Sequence, residues 1–136
     1  MILKNTLLLI ISLASYLGSV SAQELSTKPA FLVVASGTRV HTTIAYALNA
    51  DCSSIGQIVV RIVEKPKHGE AEIMHEEGFT AFGKEDQKYK CNEKRSEVVN
   101  LYYKADEQFK GKDRLVAEYF YPNGSYRKRI FNIDVR

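Results

Sequence analysis

Residues 113–135 read DRLVAEYFY, then PNG, then SYRKRIFNIDV, and this tract restricts the fold more than any other part of the chain. Two runs rich in β-branched and aromatic residues flank three turn residues, the pattern of a β-hairpin. Asn123 and Gly124 tolerate the positive φ angles that a tight turn demands. In the second run Phe131, Ile133 and Val135 alternate with Asn132 and Asp134, so those three form the inward set of a strand. Ile130 then faces outward or marks a bulge.

Comparable tracts recur along the chain, separated by turn residues, and no window of helical length carries a sustained apolar stripe of period 3.6. Strands are expected at residues 30–35, 39–48, 57–64, 70–75, 79–82, 98–104, 113–121 and 127–135. About seven or eight short strands in little more than 100 residues indicate an all-β, antiparallel sandwich. The tract QIVVRIVEK, residues 57–65, is almost continuously apolar around Arg61, as expected of a central strand covered on both faces. Residues 83–97 are charged and lack aliphatic side chains, so they read as an exposed loop tied down at Cys91, and residues 47–56 play a similar part before the central strand.

The first 22 residues have the form of a secretory leader: Lys4, an apolar run ending at Val20, then the small residues Ser21 and Ala22. No cysteine stands at the expected cleavage point, which argues against a lipid anchor. Residues 23–136 are then the mature chain, 114 residues, enough for one domain with one core. It would carry 18 Lys and Arg against 16 Asp and Glu, too balanced for a nucleic-acid binder. Cys52 and Cys91 are the two cysteines, and in an oxidising compartment they are expected to form one disulfide.

From Pro66 onward the order of residues is similar to that of the bacterial Ig-like and cadherin-like modules found as tandem repeats in surface proteins. The matching residues are Pro66 and Gly69 at a turn, Tyr103 near a strand end, then Phe109, Gly111 and Asp113, the strand residues Leu115, Ala117 and Tyr119, and finally Gly124. The resemblance implies an Ig-like sandwich in which these residues are scaffold. Gly69 and Gly111 supply backbone angles closed to other residues, and Asp113 accepts hydrogen bonds from loop amides and sets where the next strand begins. Two departures matter. Ala105 stands where the modules have a proline, and Asp106, Glu107 and Asp113 do not form the alternating oxygen-ligand loop of calcium-binding repeats, so calcium is not carried over.

No GxSxG, HExxH or phosphate-cradling GxxxxGK[ST] motif occurs. The stretch PKHGEAEIMHEE, residues 66–77, holds His68 and His75 among carboxylates. On an extended strand His68, Glu70 and Glu72 share one side while His75 and Glu77 share the other, so a zinc site would need an irregular turn, and a solvated edge strand is the simpler reading. His41, beside Thr42 and Thr43, reads as a structural histidine. Lys88, Lys90, Lys94 and Arg95 gather around Cys91, and Arg127 and Arg129 follow the hairpin turn; either group suits an acidic partner. Tyr102, Tyr103, Tyr119, Tyr121 and Tyr126 offer further protein or sugar contacts where exposed. Asn123, Gly124 and Ser125 also form an N-glycosylation sequon, which the hairpin turn explains equally well.

These features lead to the expectation of a secreted or periplasmic, non-catalytic binding module, monomeric or weakly self-associating, that recognises a protein or surface polymer. It would have no cofactor or metal and no membrane attachment after leader removal. The alternatives are an inhibitor of an extracellular hydrolase acting through residues 83–97, and a metal-assisted hydrolase at His68 and His75.

Overall fold

A computed structural model describes residues 27–136. The expected leader lies outside the described residues. Seven strands follow in order: β1 (Ala30–Val34), β2 (Arg39–Ala45), β3 (Val59–Glu64), β4 (Gly69–Phe79), β5 (Arg95–Ala105), β6 (Gly111–Phe120) and β7 (Tyr126–Val135), with one 3₁₀ turn at Tyr89–Glu93 before β5. They form two sheets, of order β1-β7-β6-β3 and β2-β5-β4. The fold is an all-β sandwich. All strand pairs are antiparallel except β1 with β7, which run parallel with Ala30 opposite Phe131 and Val34 opposite Val135.

The core lies between the sheets and is built from alternate residues. β7 contributes Phe131, Ile133 and Val135, as its pattern predicts, β6 contributes Leu115, Ala117 and Tyr119, and β5 contributes Val99, Leu101 and Tyr103. Period-2 alternation survives because each sheet buries one face. Ile130 faces outward opposite Val116, with no bulge at that point.

Three expectations are corrected. The tracts at 70–75 and 79–82 are not two strands: β4 runs unbroken for 11 residues to Phe79, and residues 80–82 are loop. Gly78, between the two expected tracts, continues the ladder opposite Ser96, where a side chain would collide with Val98. Residues 57–65 do not hold a central strand. β3 is an edge strand bonded only to β6, with Val59 55% and Val63 46% exposed. Finally, the turn at residues 122–124 has positive φ at Gly124 but not at Asn123. Tyr121 O accepts from Gly124 N at 2.9 Å and Tyr121 N donates to Ser125 O at 2.9 Å, a three-residue hairpin turn that starts at Pro122 and closes through the glycine.

Cys52 and Cys91 form the expected disulfide, with Cα atoms 5.4 Å apart and a sequence separation of 39. It joins the β2–β3 loop to the 3₁₀ turn. Strand directions put the β2–β3, β4–β5 and β6–β7 connections at one end of the sandwich, and Gly56 packs near Pro122 there. The β1–β2, β3–β4 and β5–β6 turns occupy the other end.

Candidate functional site

At the end holding the β3–β4 turn, one carboxylate organises the local backbone. Asp113, buried on β6, accepts the N–H of Lys67 at 2.9 Å, of His68 at 3.1 Å and of Arg114 at 2.9 Å, and the Tyr103 hydroxyl at 2.9 Å. Burial alone would push its carboxyl up; the donors from Lys67, Arg114, Tyr103 and His68 outweigh that and hold it below the ordinary aspartate value. Burial and the bond to Asp113 both drive the Tyr103 hydroxyl in the opposite direction, far above its usual range. This is the scaffold role expected of Asp113.

Its turn partners behave differently from one another. Gly111 has φ +142°, closed to other residues. Gly69 does not adopt positive φ; it is needed because a Cβ would meet the Lys104 carbonyl and come within 2.7 Å of the Tyr103 ring. Pro66 lies in the turn between β3 and β4.

The histidines are separated. The His68 ring stacks on Phe109, centroids 3.9 Å apart and planes 8° from parallel, and its carbonyl accepts from Asp106 N at 3.0 Å. His75 pairs with Val99 on the side of β4 that carries Ala71 and Ile73. His41 shares a 2.7 Å hydrogen bond with Asn100 and meets the Tyr102 ring edge-on. Among the described residues no three His, Cys, Asp or Glu side chains are grouped to hold a metal ion.

The expected basic residues lie at the disulfide end. Lys88 is over the Phe82 ring at 4.9 Å, Arg95 donates to the Glu77 carbonyl at 2.9 Å, and Arg127 is over Tyr121 at 5.5 Å. Lys90, Lys94 and Arg129 are exposed. A residue not singled out from sequence holds this loop together. Asn92 Oδ1 accepts from Thr80 Oγ1 at 2.9 Å and from Phe82 N at 2.8 Å, while its Nδ2 donates to the Phe82 carbonyl at 2.9 Å. The loop is therefore braced from within as well as by Cys91, and Arg95 belongs to β5 rather than to the loop.

The outer faces of the two sheets differ in character. On the three-stranded sheet a polar network covers the surface: Arg39 pairs with Glu72 at 2.8 Å and lies 3.6 Å from the Tyr102 ring centroid, and Asn100 donates to Glu76 at 2.6 Å. On the four-stranded sheet apolar side chains face solvent. Phe31 (78% exposed) and Val33 (64%) on β1, Val59 on β3 and Tyr126 (46%) on β7 are four of the eight exposed large apolar side chains among the described residues. The polar face carries none of the eight.

Strand register orders the apolar face into rows. Tyr126, Phe120 and Val59 form one, in which the Phe120 and Tyr126 rings lie 5.4 Å apart and Tyr126 donates to Glu118 at 2.9 Å. Phe31, Asn132 and Arg114 form another, and Val33, Asp134 and Lys112 a third. The last two floor a cleft of about 610 Å³ that reaches Glu64 and His68 at the opposite edge. None of Phe31, Val33 or Val59 was singled out from sequence. A signal was present: FLVV on β1 and IVV at the start of β3 are apolar at both parities, yet both strands are at sheet edges.

Compared with protein-family models, with curated proteins and with solved structures, the chain finds no match. The disulfide is compatible with an extracellular location, and among the described residues no helix is long and apolar enough to cross a membrane.

Proposed function

We propose that the protein is a secreted or periplasmic, non-catalytic binding module of Ig-like type, and that it recognises its partner, a surface protein or envelope polymer, through the outer face of the four-stranded sheet. The observation that carries this reading is the asymmetry between the two outer faces. The face of the four-stranded sheet carries two apolar groups, Phe31 with Val33 and Val59 with Phe120 and Tyr126, at opposite ends of β7, and a monomeric domain rarely leaves clustered large apolar side chains on one sheet face unless that face meets something. The Ig-like affiliation rests on the arrangement of Pro66, Gly69, Tyr103, Gly111 and Asp113, and export rests on the leader-like residues 1–22 together with the disulfide.

A second reading is favoured by the braced loop. A rigid exposed segment held by Cys91 and Asn92, bearing Lys90 and Lys94, suits an inhibitor that inserts one loop into an extracellular hydrolase. Retention of the mature protein on its native envelope fraction separates the two. Phe31→Glu with Val59→Lys is expected to abolish retention, while Lys90→Glu with Arg95→Glu leaves it intact; the reverse outcome selects the loop, and retention by both variants removes the outer-face reading.

A further inference from the structure

We infer that the cleft on the outer face of the four-stranded sheet is a binding site for a neutral saccharide, so that the polymer recognised is a neutral glycan; this rests on the outer-face reading above. Three observations point to that chemistry.

First, the volume of about 610 Å³ falls within the range of roughly 300–1,000 Å³ for ligand clefts. Second, one side of it is apolar and aromatic. Phe31, 78% exposed on an edge strand, presents a ring on which the C–H face of a pyranose can pack, with Val33 two residues along the same side.

Third, the floor is made of planar polar groups held in place by one another. Arg114 donates through Nε to Glu64 at 3.0 Å and through Nη1 to Asn132 Oδ1 at 3.2 Å. Lys112 and Arg136 both pair with Asp134, at 3.1 Å each, and they hold its carboxyl below the ordinary value. These bonds leave the Asn132 amide N–H groups, the second nitrogen of the Arg114 guanidinium and one oxygen of Glu64 without partners among the described residues. Fixed donors and acceptors side by side match the adjacent hydroxyls of a sugar, each of which both donates and accepts.

The charges also select the ligand. Arg114 is matched by Glu64 and Lys112 by Asp134, while Asp113, which also borders the cleft, spends its carboxylate on Tyr103 and three backbone N–H groups. Of the lining lysine, arginine, aspartate and glutamate side chains, Lys67 alone has no partner carboxylate or donor among the described residues; with the others paired, the cleft lacks the strong single-sign field that would draw an anionic polymer, and a neutral ligand keeps those pairs intact. The outer face of the other sheet has no exposed aromatic platform of this kind, because Tyr102 is covered by the Arg39 guanidinium.

The test is titration of the ¹⁵N-labelled mature protein with cellotriose, maltotriose and acetylated chitotriose, with inorganic polyphosphate as the anionic comparison. At least one neutral trisaccharide is expected to shift the amides of Phe31, Val33, Arg114, Asn132 and Asp134 saturably. Phe31→Ala and Asn132→Ala are each expected to weaken that binding by about tenfold, while Phe79→Ala, at the end of β4 in the other sheet, leaves it unchanged. No response to any trisaccharide, a response mapping to the disulfide-end loops, or an equal response to polyphosphate would overturn the assignment. If the outer-face variant loses envelope retention while no trisaccharide binds, the face still carries recognition and only the saccharide assignment falls.

Discussion

Asp113 is the residue on which the turn end of the sandwich depends most. It accepts four hydrogen bonds from groups on three different segments, the β3–β4 turn, β5 and its own strand. Asp113→Asn keeps the shape but turns an NH₂ toward N–H donors, and is expected to lower stability by about 3 kcal/mol in urea unfolding. Because the carboxyl titrates lower in the folded protein than in the unfolded chain, its contribution is complete above the ordinary aspartate value near 3.9. It is lost as pH falls through the lower folded value. The stability difference between wild type and Asp113→Asn should therefore be constant from about pH 5 to 7 and shrink below about pH 4; a gap that stays constant to pH 2 would assign the loss to packing instead. The role of Asp113 was legible in sequence from its place after Gly111. That Gly69 serves close approach rather than an unusual φ was not, because the Lys104 carbonyl and Tyr103 ring that crowd it lie on β5, more than 30 residues away.

At the scale of elements, the hairpin of β6 and β7 and the disulfide were both legible, because each depends on local chemistry or on a pair with no competitors. Two cysteines allow one pairing. Replacing both with serine removes a cross-link spanning 39 residues and is expected to lower stability by about 4 kcal/mol in the chain-entropy model. Chemical denaturation with a matched denaturant slope would check this; a loss below about 1 kcal/mol would mean that Asn92 alone holds the loop. The sheet order was harder to read. β3 resembles a central strand because its sequence is apolar at both parities, but a strand acquires neighbours only when the whole topology is set. Likewise the tracts at 70–75 and 79–82 read as two strands, although β4 runs through residues 76–78 and Gly78 makes room for Val98 of β5.

The molecule as a whole separates what stabilises it from what it shows to solvent. Leu115 and Ile133 are buried at the centre of the core, while Phe31 and Val59 are apolar but lie outside it. Phe31→Ala and Val59→Ala should each change stability by no more than about 0.5 kcal/mol, whereas Leu115→Ala should cost about 3 kcal/mol. Thermal and urea unfolding of the three variants measure this, and a loss above about 2 kcal/mol for either surface variant would place that side chain in the core and remove it from the proposed recognition face. The amino-acid order alone was sufficient for the all-β class, the inward set of β7, the disulfide and the anchoring role of Asp113. These depend on period-2 alternation, on a unique cysteine pair and on the Gly111–Asp113 turn pattern, although three of the four donors to Asp113, Lys67, His68 and Tyr103, lie on other segments. Which apolar side chains would be covered could not be read in that way, since burial depends on whether a second layer lies over each face. The sandwich supplies one layer of cover to each sheet, so the apolar side chains at the second parity of β1 and β3 are left on the outside.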